Sequence, residues 1–175
     1  LSYLLPGANL FRGQFSFSGT NFEGEIRIPL DISYSDNLAR LIIYMNNDEK
    51  DMIGVINHIK LEGGASIQDN EGPIIVFETI NGVRLEENDH LEKNKDLVIK
   101  ITDPIGINLT NEVGHEIIIK DLNSQELYNK TNDFSYEQNS IVTGKILFPT
   151  TDENINLKIK AWDNANNPSE KNIKL

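Results

Sequence analysis

The chain of 175 residues contains no cysteine. Disulfide bonds, thiolate metal ligands and thiol nucleophiles are therefore excluded within these residues. A folded chain without disulfides has to be stabilised by its hydrophobic core or by bound metal. The length suits one large domain or two small ones, and either can bury a core.

Basic residues are scarce: 16 Lys and Arg stand against 27 Asp and Glu, which gives a net charge of −11. Proteins that bind nucleic acid displace phosphate counterions with Lys and Arg, so the composition predicts no nucleic-acid partner. An acidic surface of this kind is kept soluble by its charge, or it holds divalent cations.

Long apolar runs are also missing. Segments such as Leu41 to Ile43 are strand-sized, whereas a membrane-spanning helix needs about 20 apolar residues. The sequence therefore predicts no membrane span. It begins at Leu1 with no charged and apolar leader, so we expect either a piece cut from a longer chain or a processed mature chain.

Alternating apolar and polar residues recur along the chain. Phe11, Phe15 and Phe17 share one parity, and the turn residues 18–21 separate them from a second alternating segment, 22–28. This arrangement predicts a β-hairpin. A single helical turn is expected at most, within 123–136. Further strands are predicted at 40–44, 55–61, 74–80, 97–101, 115–120, 141–148, 155–162 and 172–175.

Many short strands separated by turn residues are typical of an antiparallel sandwich. We therefore predict an all-β chain of two Ig-like antiparallel β-sandwich modules in tandem. Gly63-Gly64 and the polar segment 69–73 mark the boundary. Residues 1–68 form the first module, which shows too few strands and is expected to lack some upstream of Leu1. Residues 69–175 form an Ig-like β-sandwich domain, with an expected core of Val76, Ile99, Ile101, Ile118, Leu157, Ile159 and Trp162.

No constellation of catalytic residues is visible in the sequence. The histidines His58, His90 and His115 form no metal-binding pair. The chain has no nucleophile elbow and no phosphate-binding loop. We predict no catalytic residue and no organic cofactor in this chain.

Acidic and amide side chains, in contrast, follow strand ends at three places. Asp69 precedes the first strand of the second module, Asp103 follows a predicted strand, and Asp163 and Asn167 follow another. Calcium prefers six to eight oxygen ligands from such groups. If these loops meet at one end of the sandwich, they form a calcium site. The alternative is that the same side chains only make turns by bonding to nearby backbone, which is their commonest role.

Several segments in order resemble a known family. They are Phe11-Arg-Gly13, Phe22 to Tyr34, Asp69 to Ile75, Asp103-Pro-Ile-Gly-Ile-Asn108, Gly114-His-Glu-Ile117 and Lys160 to Asn167. Together they resemble the C-terminal region of gingipain-family cysteine peptidases, in particular the C-terminal signal peptidases of the type IX secretion system, the PorU-type sortases. The resemblance covers nearly the whole chain, although single segments recur in many bacterial Ig-like domains.

The resemblance implies an accessory role. The family's caspase-like domain uses a Cys–His dyad, which would lie upstream of this chain, and His115 belongs to a different motif. The expected function is a non-catalytic β-sandwich region that supports this peptidase domain and contacts cargo proteins or outer-membrane secretion components. The implied location is extracellular, or on the outer-membrane surface of a Gram-negative bacterium. The alternative is an adhesin-like surface module with no enzyme attached.

Overall fold

The computed structural model describes residues 7–19, 21–30, 32, 38–47, 49–61, 68–150 and 154–175. These residues form strands and loops with one short 3-10 turn, Thr131–Asp133. The strands are β1 (Ala39–Asn46), β2 (Asp51–Ile59), β3 (Ile74–Thr79), β4 (Arg84–Leu85), β5 (Asp96–Thr102), β6 (Ile118–Asp121), β7 (Leu127–Asn129), β8 (Ser135–Tyr136), β9 (Thr143–Pro149), β10 (Asn156–Trp162) and β11 (Pro168–Lys174).

The strands from β3 onwards build an antiparallel β-sandwich. One sheet has the order β4-β3-β5-β9-β8, and the other has the order β11-β10-β6-β7. Ile99 and Ile159, one from each sheet, are fully buried in the shared core. The all-β sandwich fold predicted from the alternation is confirmed.

Strand parity decides which side chains reach this core. Along β10 the residues Leu157, Ile159 and Ala161 are buried, whereas their neighbours are partly exposed. Of the seven expected core residues, Ile99, Ile101, Leu157 and Ile159 are buried, but Val76, Ile118 and Trp162 are not. Their strands alternate, so the inward positions are taken by the residues next to them: Ile75, Phe77, Ile117, Ile119 and Ala161.

The described residues of the predicted hairpin, 8–19 and 21–30, contain no regular strand. The segment around Arg12 instead runs beside β8, where the Tyr136 N–H donates to the Arg12 carbonyl at 3.1 Å and the Asn139 N–H donates to the Gln14 carbonyl at 2.8 Å. Phe11 stacks on Tyr136 with ring centroids 4.9 Å apart. The aromatic alternation therefore reflects packing of an extended segment against the sandwich edge.

The chain divides into two compact units, residues 1–7 with 32–67, and residues 8–31 with 68–175. In the first unit β1 and β2 form a two-stranded antiparallel sheet. The predicted boundary between residues 68 and 69 and the incomplete first sandwich stay predictions. Among the described residues there is no helix long and apolar enough to cross a membrane.

Candidate functional site: an acidic cluster at one end of the sandwich

Three aspartates meet at one end of the sandwich. Asp103 directly follows β5, Asp163 directly follows β10, and Asp69 lies in the loop before β3. One carboxylate oxygen from each lies within 4.8 Å of the others. Asp103 and Asp163 are 2% and 0% exposed, and Asp69 is partly buried. We call Asp69, Asp103 and Asp163 the acidic cluster.

Backbone pairing across the two sheets brings the loops together. Ile107, in the loop after β5, forms an isolated antiparallel bridge with Asp163. The Asn108 N–H donates to the Trp162 carbonyl at 2.9 Å, and the Asn164 N–H donates to the Gly106 carbonyl at 3.0 Å. The loop after β5 therefore adds to the end of β10 and holds Asp103 near Asp163.

Each aspartate also organises its own loop. Asp103 Oδ1 accepts the Ile105 N–H at 2.8 Å, and Asp69 Oδ1 accepts the Glu71 N–H at 3.0 Å. Asp163 Oδ1 accepts the Ala165 N–H at 2.8 Å and the Asn167 N–H at 2.7 Å. These side-chain turns are the alternative that the sequence left open. These turns explain the position of each aspartate within its own loop. They do not explain why the three carboxylates lie close to one another.

Asn167 joins the cluster through its amide. Its Nδ2 donates to Asp163 Oδ2 at 2.8 Å and to the Asp69 carbonyl at 3.1 Å. The four residues expected at a calcium site, Asp69, Asp103, Asp163 and Asn167, are therefore brought together. In this arrangement Asn167 directs its amide nitrogen, and not its oxygen, at Asp163 and Asp69. The side-chain oxygens that lie close together are therefore those of the three carboxylates.

The electrostatics of the cluster are unfavourable when no cation is bound. The pKa of Asp103 is raised to about 6, chiefly by burial and also by the negative charges of Asp163 and Asp69, against the opposing effects of the Ile105 N–H and Arg27. Buried charges without partners are costly, and a divalent cation would reverse the sign of this interaction. A cation held between the three carboxylates would therefore offset part of this repulsion.

A second layer of polar side chains, which the sequence did not reveal, supports the loop after β5. The Tyr136 hydroxyl accepts the Ile107 N–H at 2.7 Å, and Asn164 Nδ2 donates to the Ile105 carbonyl at 2.8 Å. Gly106 has φ +86, and a β-carbon there would lie 2.8 Å from Asn164 Nδ2 and 2.9 Å from the Tyr136 oxygen. Glycine is required because the turn needs positive φ and close packing.

Among the described residues, no histidine belongs to the acidic cluster. His58 lies exposed in β2 and His90 in an exposed loop. His115 makes an edge-on ring contact with Trp162 at 4.6 Å between centroids, and Lys160 Nζ lies 4.6 Å from the Trp162 ring. The indole thus packs on the outer face of its sheet, although the sequence placed it in the core.

Comparison with known proteins shows a similarity to a solved structure. No family model matches the chain, and no curated protein matches it. The crystal structure of dimeric latent PorU from Porphyromonas gingivalis is similar, with a TM-score of 0.51 and 23% sequence identity. The matched region covers 85% of this chain and 15% of that PorU chain. The chain therefore shares its fold with a limited part of PorU.

Proposed function

We propose that this chain is a non-catalytic accessory region of a PorU-type signal peptidase, the gingipain-family sortase of the type IX secretion system. In this role its β-sandwich supports a cysteine peptidase domain elsewhere in the same polypeptide. It also contacts cargo proteins or outer-membrane secretion components at the surface of a Gram-negative bacterium. The observation that carries the proposal is the fold shared with PorU over 85% of the chain.

The residues of this chain fit a supporting role. The chain has no cysteine and so no thiol nucleophile of its own. The acidic cluster has no histidine within it, and its aspartates are committed to loop turns. A sandwich with a continuous core between two sheets is a rigid element on which a second domain or a partner can be positioned.

The proposed function is tested by reading the coding sequence upstream of Leu1 and by measuring the processing of cargo proteins in cells. We expect the coding sequence upstream of Leu1 to encode a caspase-like domain with a Cys and a His. Deleting residues 69–175 from that gene should leave cargo proteins with their C-terminal signals uncleaved. A matched control is the Val113→Glu variant, since Val113 is 95% exposed and the change should leave processing intact. Upstream sandwiches or a stalk in place of a peptidase would favour the adhesin-like alternative.

A direct assay separates support from catalysis. The isolated chain, incubated with a mixed peptide library, should show no cleavage products by mass spectrometry. Any turnover that survives the combined Asp69→Asn, Asp103→Asn and Asp163→Asn changes would have to come from groups outside the acidic cluster. Turnover of any kind contradicts the non-catalytic role.

We also propose that the acidic cluster binds calcium. The observation in favour is the approach of three carboxylates, two of them buried, within 4.8 Å. Bound calcium would link the loops after β5 and β10 with the segment before β3 and would complete its shell with water or backbone oxygens. Isothermal titration calorimetry of the chain with calcium tests this. Heat that saturates in the wild type and is lost in Asp103→Asn is expected, and no heat at millimolar calcium would contradict the proposal.

A further inference from the structure

The hairpin of β1 and β2 is apolar on both faces, and none of its residues is buried. On the first face Ile42 lies opposite Val55 and Tyr44 lies opposite Ile53. Their exposed fractions are 53%, 50%, 62% and 72%. We call these four residues the hairpin face. The opposite face also exposes apolar side chains, namely Leu41, Met52 and Ile56.

Strands with apolar residues on both faces are typical of sheets covered on both sides. A two-stranded sheet alone is marginally stable in water, because it has no second layer to bury its side chains against. Contiguous exposed apolar side chains of this kind mark a surface that is covered in the assembled protein. The hairpin therefore has the residues of an interior sheet, but among the described residues it forms a sheet of two strands only.

The strand edges are equally open to pairing. Within the described residues β1 and β2 pair only with each other. Neither Lys nor Pro occurs in 41–46 or 51–57, although these residues are the usual protection of a free edge. The irregularities are confined to one end, where the register shifts between Ala39 and Leu41 and His58 has φ 65. The rest of each edge offers unpaired backbone groups for an added strand.

We propose that β1 and β2 belong to a larger sheet, and that strands of the same polypeptide, outside this chain, pair with their edges and pack as a second layer on the hairpin face. The inference rests on the proposed function, since a PorU-type polypeptide is much longer than this chain: the matched region is 15% of the PorU chain. The covering strands would carry apolar residues at the positions that meet Ile42, Tyr44, Ile53 and Val55. A second copy of the chain or a cargo segment are the competing occupants.

Hydrogen exchange on two proteins tests this inference. The 175-residue chain and the longer polypeptide encoded by its gene are compared at low concentration. Amides of 41–46 and 51–57 should exchange at least about 10-fold more slowly in the longer polypeptide, because added strands and a second layer suppress local opening. Equal rates in the two proteins would overturn the inference. Slowing in the short chain that appears only with dimerisation would assign the hairpin face to a second copy instead.

A pair of variants gives an independent readout. Ile53→Glu should leave the melting temperature of the 175-residue chain unchanged, because Ile53 is 72% exposed there. In the longer polypeptide the same change should abolish the slowed exchange of the hairpin amides. The matched control Val113→Glu places the same charge at a site that is 95% exposed and should have no effect in either protein. If Ile53→Glu is silent in both, the hairpin face is not covered.

The result of the hydrogen-exchange test can be distinguished from the result of the test of the proposed function. An upstream region without a Cys–His domain removes the peptidase assignment, whatever the hairpin does. If an upstream peptidase domain is found but the exchange rates are equal, only the proposal that outside strands complete the sheet is contradicted. A gene that encodes nothing beyond these residues removes both.

Discussion

The hairpin and the sandwich are built from similar strands but differ in what those strands bury. Phe77 in β3 is 1% exposed, whereas Tyr44 in β1 is 62% exposed. Both lie in antiparallel strands with apolar neighbours. The difference is that β3 belongs to a sheet with a second sheet packed on it, while the hairpin has none among the described residues. Apolar strands can therefore pair in either region, but their side chains are buried only where a second sheet packs on the first.

The largest expected effect contrasts these two aromatic residues. Phe77→Ala should lower the free energy of unfolding by about 3–5 kcal/mol, because it leaves a cavity in the sandwich core. Tyr44→Ala should change it by less than about 0.5 kcal/mol, as for an exposed site. Urea unfolding monitored by Trp162 fluorescence measures both. A comparable loss for Tyr44→Ala would mean that the hairpin is already packed in this chain.

Calcium should stabilise the sandwich and leave the hairpin unaffected. At 100 times its dissociation constant a ligand that binds only the folded state adds about 2.7 kcal/mol. The melting temperature of the wild type should therefore rise with calcium, and the rise should disappear in Asp103→Asn. Asp51→Asn removes the same charge from the exposed hairpin and should keep the full response. A response lost equally in both variants would indicate a general charge effect.

Without divalent cations, the stability of the sandwich should depend on the ionisation of Asp103. Its pKa is raised to about 6 in the folded state from the ordinary value of 3.8, so the folded state binds more protons between these two pH values. The favourable contribution is fully present below about pH 4 and is lost as the pH rises through about 6. Thermal melts from pH 4 to pH 7 measure it.

The pH effect is isolated by comparison with Asp103→Asn. Burial raises the pKa of Asp121, but the hydrogen bonds from the Asn123 N–H and from Ser124 together outweigh it and lower the pKa, while that of Glu170 is lowered chiefly by Lys158. Both lowered pKa values make the stability rise with pH, opposite to the effect of Asp103. They contribute equally in the wild type and in Asp103→Asn, so the comparison cancels them. Asp103→Asn should be more stable than the wild type at pH 7, and the difference should shrink towards pH 4. A constant difference across this range would contradict the role of Asp103.

The smallest effect is expected on the outer face of the sandwich. Lys158 and Glu170 form an ion pair between β10 and β11, with side chains 39% and 44% exposed. Exposed pairs of this kind contribute about 0–1 kcal/mol. Glu170→Gln should therefore shift the urea midpoint only slightly, and the shift should vanish at 1 M salt. A loss as large as that of Phe77→Ala would show that this face is packed against something in solution.

Alternation predicted most strands of the sandwich, because burial on one face leaves a period of two in the sequence. It failed for Val76 and Ile118, since in continuous apolar runs both parities look alike and only pairing decides which one faces inward. It also failed for residues 8–30, where aromatic alternation is not backed by regular strand pairing. The short strands β4, β7 and β8 were missed because two or three residues carry no measurable period.

The sequence by itself determined the absence of thiol chemistry, the acidic charge, the all-β class and the residue types of the acidic cluster. Only the tertiary structure decided that Asp69 joins Asp103 and Asp163, because the Asn167 amide reaches the Asp69 carbonyl across a separation of 98 residues. Such contacts depend on how two sheets pack and which loops meet at their end. The same reason applies to the hairpin: its apolar residues are visible in the sequence, but only the structure shows that none of them is buried in β1 or β2.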